Sequence, residues 1–190
     1  MKKIGGKGRC SVNISFNVYV YIFIYAYNTK KEVNYMTDMC RAIADYIIFK
    51  TNEIMEKENI NINMSCKRLQ KILFFSEIEY MKQNNGNALT KDDFYAWPSG
   101  PVIPSVYNDY MLFQNGVMFP KGKEYLELSD TIKTVIDKII NSTKNVKNNQ
   151  LIEISHIENG PWYKHKNDKS KISKEEIYNF YKDIEINYGG

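Results

Sequence analysis

At 190 residues the chain suits one domain with a substantial hydrophobic core and is short for two. Its formal charge of +4 sits almost wholly in the first 35 residues, where Lys2, Lys3, Lys7, Arg9, Lys30 and Lys31 face only Glu32, so that this segment carries +5 and the remainder −1. A near-neutral domain lacks the electrostatic footprint of a protein that holds phosphate backbones, and three cysteines, Cys10, Cys40 and Cys66, with no C-x-x-C pair argue against a disulfide framework or structural zinc and for a reducing cytoplasm.

The first 35 residues read as a leader or non-native extension rather than as part of the domain. Val18 to Tyr27 is an unbroken apolar and aromatic run, too short to cross a bilayer as a helix, which takes roughly 20 apolar residues. A charged start before an apolar stretch outlines a signal peptide, but no small-x-small cleavage site follows Ala26. The run's β-branched and aromatic alternation would also suit a strand. The whole chain is rich in Lys, Asn, Ile, Tyr and Phe, residues of AT-rich codons, and a translated upstream leader would share that bias. Met36-Thr37-Asp38 is then the expected start, giving a domain over residues 36–190.

From Asp38, Ala42, Ile43, Tyr46, Ile47, the Lys50 stem and Ile54 recur at helical spacing, with Asp38 or Thr37 as N-cap and the Asn59–Asn63 stretch as terminator. Ser65 is placed to cap a second helix, and Met64 to staple onto Leu69. Leu69, Ile72, Leu73, Ser76 and Tyr80 line one face of that helix, with Phe75 beside them, and Asn84-Asn85-Gly86 closes it. Asp93 to Trp97 has the character of a short strand, which Pro98-Ser99-Gly100-Pro101 cannot continue because two of its residues lack backbone donors. Pro104 suits the first turn of the next helix, with Val106, Tyr107, Tyr110 and Phe113 at helical spacing and Asn115-Gly116 as its stop.

Val117 to Leu128 reads as a loop with a short extended piece, Tyr125–Leu128, pairing with the Phe94 segment. Ser129 or Asp130 opens an amphipathic helix bearing Ile132, Val135, Ile136, Ile139 and Ile140, followed by a polar break over Asn141–Asn149 and a short helix over Leu151–Ile157 that Asn159-Gly160-Pro161 ends. In the final helix Ser173 and Glu176 form a capping box, stapled by Ile172 and Ile177, and Tyr178, Phe180, Tyr181 and Ile184 extend its apolar surface. The expected fold class is mainly α, a compact helical domain with a small two- or three-stranded β element.

Catalytic chemistry is sparsely represented. His156 and His165 lack metal-ligand spacing, and nothing in sequence pairs Cys66 with His156; a helix-end hydrogen bond for His156 and a solvated loop for His165 are the simpler expectations. Gly5-Gly6-Lys7-Gly8 departs from the phosphate-loop spacing, and Asp92-Asp93 and Glu175-Glu176 are neighbours whose side chains point apart. No catalytic residue, metal or cofactor is expected. The one local basic run, Lys164, Lys166, Lys169, Lys171 and Lys174 around Trp162 and Tyr163, fits a solvated loop first, an acidic protein partner next and nucleic acid last. Trp97 and Tyr107 are expected to be mainly buried, and any exposed part of either ring would be a binding hot spot.

The order Leu69-Gln70-Lys71-x-Leu73, Ala96-Trp97-x-x-Gly100-Pro101-Val102, Tyr107, His156 and Pro161-Trp162 resembles the SocA-like, or Panacea, antitoxin domain of bacterial and phage toxin–antitoxin systems. Departures fall at Arg68, where the family commonly has Lys, and at Phe74, Ser76, Pro98 and Ser99. The resemblance implies a non-enzymatic antitoxin that binds and neutralises a cognate toxin protein, or that delivers the toxin to the ClpXP protease as an adaptor. It also implies Gln70, Lys71, Phe74, Trp97, Gly100, Pro101, Tyr107, His156 and Trp162 as the motif core or toxin-binding set. From the charge and the short apolar run, neither nucleic acid nor a membrane is an expected partner. The alternative is a nucleic-acid-binding regulator that uses the Lys164–Lys174 patch.

Overall fold

Helices α1 (Asp38–Glu58) and α2 (Cys66–Gln83) form the spine of the domain. The computed structural model describes residues 38–113 and 118–189, all within one compact unit spanning Tyr35–Gly190. The expected leader with its Val18–Tyr27 run and Gly5–Gly8, and the helix stop at Asn115-Gly116, lie outside the described residues.

Every residue of α2 from Arg68 to Ile78 is buried, so this helix is enclosed rather than amphipathic. Its start follows from Ser65, whose hydroxyl accepts from the Arg68 N–H. Its end follows from Asn84-Asn85-Gly86: the Gly86 N–H donates to the Met81 carbonyl at 2.8 Å while Gly86 sits at φ +85°, a left-handed conformation that satisfies an otherwise orphaned helix carbonyl. Asn59, at φ +53°, ends α1 in the same way.

Strand β1 (Phe94–Trp97) is the centre of a three-stranded antiparallel sheet. On one side it pairs with β2 (Gly100–Val102), Ala96 facing Pro101 and Trp97 facing Gly100. On the other it pairs with β3 (Lys171–Ile172), Phe94 facing Ile172. Helix α3 (Pro104–Tyr110) follows, with its proline in the first turn as expected. The remaining helices are α4 (Asp130–Thr143), α5 (Asn148–Ser155), α6 (Pro161–His165) and α7 (Lys174–Tyr181). The Ser173–Glu176 capping box is formed as expected, each side chain bonding the other's backbone amide at 3.1 Å. The domain is mainly α-helical with a small β element.

Three local expectations need correction. Tyr125–Leu128 is not a strand: Glu124–Glu127 forms a 3-10 turn, in which the Leu126 N–H reaches the Lys123 carbonyl and Tyr125 stacks on Phe49 at 5.1 Å. The second neighbour of β1 is Lys171–Ile172, brought there by long-range packing that buries Ile172 completely. The polar break is shorter than Asn141–Asn149, because Asn141, Ser142 and Thr143 turn their side chains back to the carbonyls four residues earlier and remain helical. His165 is not a solvated loop residue: it ends α6, with Nδ1 2.6 Å from the Ser170 hydroxyl and Nε2 3.0 Å from Glu176.

Two buried carboxylates fasten the loops. Glu77, fully buried on α2, accepts from the Leu89 and Thr90 amides and lies 2.9 Å from the Lys174 ammonium, which ties the segment before β1 to α7. Asp45, fully buried on α1, accepts from the Tyr110 hydroxyl and from the amides of Lys121 and Gly122 at 2.7 and 2.9 Å. Neither role is visible in the sequence, since an acidic residue within an apolar helical pattern carries no mark of the loop it holds.

Candidate functional site

Neighbouring residues on α2 secure β2 through its backbone. The Gln70 side chain exchanges two hydrogen bonds with Ile103, accepting from its N–H at 2.8 Å and donating to its carbonyl at 3.3 Å. Lys71 donates to the Pro101 carbonyl at 2.7 Å. Side chains from a helix thereby satisfy backbone groups at the outer edge of the sheet. Gly100, at φ +100°, passes so close to Lys71 and Ser155 that a Cβ there would lie 2.6 Å from Ser155 Oγ and nearer still to Lys71 Nζ.

The aromatic residues of the motif stack outward from this point. The His156 and Trp162 rings lie face to face at 3.4 Å and 3°, and Trp162 Nε1 donates to the Trp97 carbonyl at 2.8 Å. Trp97 meets Tyr107 edge-on at 4.9 Å. Phe74 packs edge-on against Phe94 at 5.3 Å and against Tyr181 at 5.9 Å, on the inner side of the sheet. Of the nine motif residues, Gln70, Lys71, Phe74, Gly100, Pro101 and Trp162 are buried, while Trp97, Tyr107 and His156 each keep part of the side chain at the surface.

Burial governs the electrostatics of this corner. It pushes the Lys71 ammonium well below its ordinary range, and it draws His156 down to about 4, with the Lys71 charge adding to the effect. His156 makes a helix-end hydrogen bond as the C-cap of α5, but through its backbone N–H, which donates to the Glu153 carbonyl at 2.9 Å; ring Nε2 is buried without a partner, and the ring is held by its stack on Trp162. Cys66, raised to about 11 by burial, places its sulfur 3.9 Å from the Tyr107 carbonyl, and among the described residues no hydrogen bond joins it to His156. Such a thiol is a poor nucleophile. No group of three or more metal-binding side chains occurs among the described residues, and no described helix is long and apolar enough to cross a membrane.

The basic run is largely engaged within the fold. Lys174 holds Glu77 and Thr90, Lys171 pairs with Asp93 at 3.4 Å, and Lys166 sits 3.5 Å over the Tyr163 ring. Lys164, Lys169 and Lys171 remain exposed, Lys171 within its pair with Asp93. Three exposed lysines, one of them paired, do not make the continuous stripe that tracks a phosphate backbone.

A second surface had no signal in the sequence. Among the described residues the large apolar side chains that stay exposed are Met39, Phe49, Met111, Leu112, Phe119 and Leu126; Met111 and Leu112 follow α3, Phe119 precedes the 3-10 turn, Leu126 lies within it, and Phe49 stacks on Tyr125 of that turn. Arg41, Asp45, Phe49 and Asn52 share a stripe of α1 at three- and four-residue spacing. Each of them holds the segment running from α3 to the 3-10 turn. Arg41 pairs with Asp109 at 3.1 Å, Asp45 takes the Lys121 and Gly122 amides, Phe49 stacks on Tyr125, and Asn52 donates to the Met118 carbonyl. The described residues on either side of positions 114–117 are thus fastened at four places, while Leu112, Phe119 and Leu126 among them stand at 70%, 62% and 60% exposure. Met111, the C-cap of α3, keeps helical backbone four residues after Tyr107, which places it on the side of the helix end that bears the Trp97–Tyr107 edge.

The family model described as "Antitoxin SocA-like, Panacea domain" matches residues 69–163, half of the chain, including the α2 motif, the sheet corner, α3 and the His156–Trp162 stack. Neither a curated protein nor a solved structure matches the chain.

Proposed function

Because the chain belongs to the SocA-like, Panacea-domain antitoxin family, we propose that it neutralises a cognate toxin protein in the cytoplasm by binding it, without catalysis, through the apolar face that runs from Trp97 and Tyr107 across Met111 and Leu112 to Phe119 and Leu126. The observation that carries this reading is the grouping of exposed apolar side chains on a segment fastened by a buried carboxylate, a salt bridge, an aromatic stack and an amide. A soluble monomer gains nothing from fixing leucine and phenylalanine outward, whereas a binding surface gains preorganisation, which lowers the entropic cost of association. Burying each such side chain contributes about 1.5–3 kcal/mol. The charges around the face pair with one another, Arg41 with Asp109 and Lys50 with Glu53 at 2.8 Å, which leaves an apolar centre inside a polar rim. The buried motif residues Gln70, Lys71, Gly100 and Pro101 act as the scaffold that sets the angle between the sheet corner and α3.

The test is co-expression with the toxic product of the adjacent gene. The double variant Leu112→Glu, Phe119→Glu should fold with unchanged thermal stability and lose both copurification with the toxin and growth rescue. Full rescue by that variant would refute the assigned face. Rescue that requires ClpXP, with the toxin disappearing rather than accumulating in a complex, would make the protein an adaptor acting through the same surface.

A further inference from the structure

The loop that follows α1, the first turn of α2, and the C-cap of α4 with the connection into the first turn of α5 line a cleft of about 450 Å³. Its wall contains three cationic side chains, Arg68, Lys144 and Lys147, together with asparagines that include Asn61, Asn145 and Asn149, and no acidic residue. Arg68 is 3% exposed. Its guanidinium donates to the Val146 carbonyl at 2.8 Å, the Thr143 carbonyl at 2.6 Å and Asn148 Oδ1 at 3.0 Å, while Nε is buried without any partner. All three acceptors are neutral. Burial alone draws the guanidinium down to about 10, with no carboxylate offsetting it. A buried charge without a counter-charge is costly, and here it stands in the wall of an open cleft.

Two further features favour a negative occupant. Lys147, Asn148 and Asn149, the cap and first turn of α5, line the cleft, and the amides of a helix's first turn have no acceptor within the helix and present partial positive charge. The Gln150 side chain folds back onto the Lys147 N–H at 3.0 Å, and the Asn148 and Asn149 amides that follow have no acceptor within the helix. Lys144 is held by Glu58 at 2.6 Å, which fixes its ammonium at the rim and partly neutralises it. Lys147 is exposed, so it remains available to a ligand.

We propose that this cleft binds a phosphate-class oxyanion, free or as a phosphomonoester, with the α5 first-turn amides and Lys147 contacting its oxygens and Arg68 supplying the charge behind them. The site lies at the junction of three helix ends, so its occupant stabilises the folded antitoxin over the unfolded chain and links its persistence to ligand concentration.

The experiment is an NMR titration of the full chain with inorganic phosphate and, separately, with adenosine 5′-monophosphate, at ionic strength held constant with chloride. Saturable shifts of the Asn148–Gln150 amides and of the Arg68 Nε–H resonance are expected. Lys147→Ala should weaken the response by about two- to fivefold, the effect of removing one exposed charge partner, and Lys164→Ala should leave it unchanged. Tighter binding of the nucleotide assigns the site to a phosphomonoester, and equal binding assigns it to free phosphate; either supports the proposal. Shifts that rise without saturation, or that respond equally to both substitutions, would overturn it. Because Arg68→Gln risks the fold, Lys147→Ala is the deciding variant.

Discussion

Substituting Gly100 by alanine tests the architecture of the motif corner most directly. At φ +100° any residue with a Cβ is strained, which costs about 1–3 kcal/mol. The added methyl would meet Ser155 Oγ at 2.6 Å and crowd the end of Lys71. Lys71 is fully enclosed, so its amine cannot swing away without giving up the Pro101 carbonyl, and a buried polar group left unpaired costs about 1–3 kcal/mol more. The sum is a destabilisation of about 2–6 kcal/mol. Urea unfolding followed by tryptophan fluorescence is a suitable assay, because the chain's two tryptophans, Trp97 and Trp162, both belong to this corner. In the Lys71→Met background the clash is relieved at its far end, so Gly100→Ala should then cost measurably less, a coupling that a double-mutant cycle reads out. A loss below 1 kcal/mol for the single variant, or strict additivity with Lys71→Met, would refute the argument that Gly100 is required by close approach.

Three other outcomes follow from the geometry. Lys174→Met strips the ammonium from the fully buried Glu77 while leaving its amide donors, and should lower stability by about 3 kcal/mol in thermal or urea unfolding; a change near zero would mean that the amides alone hold the carboxylate. His156, held near 4 in the fold against an ordinary value near 6.5, takes up its proton in the unfolded chain first, so stability should fall as pH drops from about 6.5 to 4; His156→Phe should flatten that part of the urea-midpoint profile. Asp45→Asn weakens the acceptor for the Lys121 and Gly122 amides, so it should increase proteolysis within residues 118–127 and weaken toxin binding before the domain itself unfolds, with limited proteolysis and copurification as the readouts.

Much of the helical framework was legible because its determinants are local. Ser65 before α2, the Ser173–Glu176 box before α7 and Asn84-Asn85-Gly86 after α2 each act through backbone groups within a few residues, and the helical spacing of isoleucines in α4 follows from one buried face. The strand partner of β1 was misassigned because a two-residue strand such as Lys171–Ile172 has almost no local signature, and its pairing depends on α7 packing onto α2. The α4 terminus was placed too early because asparagine, serine and threonine ordinarily compete with helix, and only in the folded chain do they bond back into it.

The candidate site divided along the same line. Residue identities at Gln70, Lys71, Gly100, Pro101 and Trp162 were enough to mark the corner and the family, because a proline-flanked glycine beside aromatic residues constrains the backbone wherever it occurs. The exposed face of Leu112, Phe119 and Leu126 could not be read in advance, since an apolar residue in sequence is equally consistent with core and surface. Chain-local physics, capping, periodicity and glycine geometry, determined that this protein is a helical domain with an aromatic corner built around a proline-flanked glycine. Which apolar side chains would be left outside, which lysines would be consumed as internal partners, and that Arg68 would be buried beside a cleft without a counter-charge were decided only when distant segments packed together, because exposure and charge pairing are properties of neighbours rather than of residues.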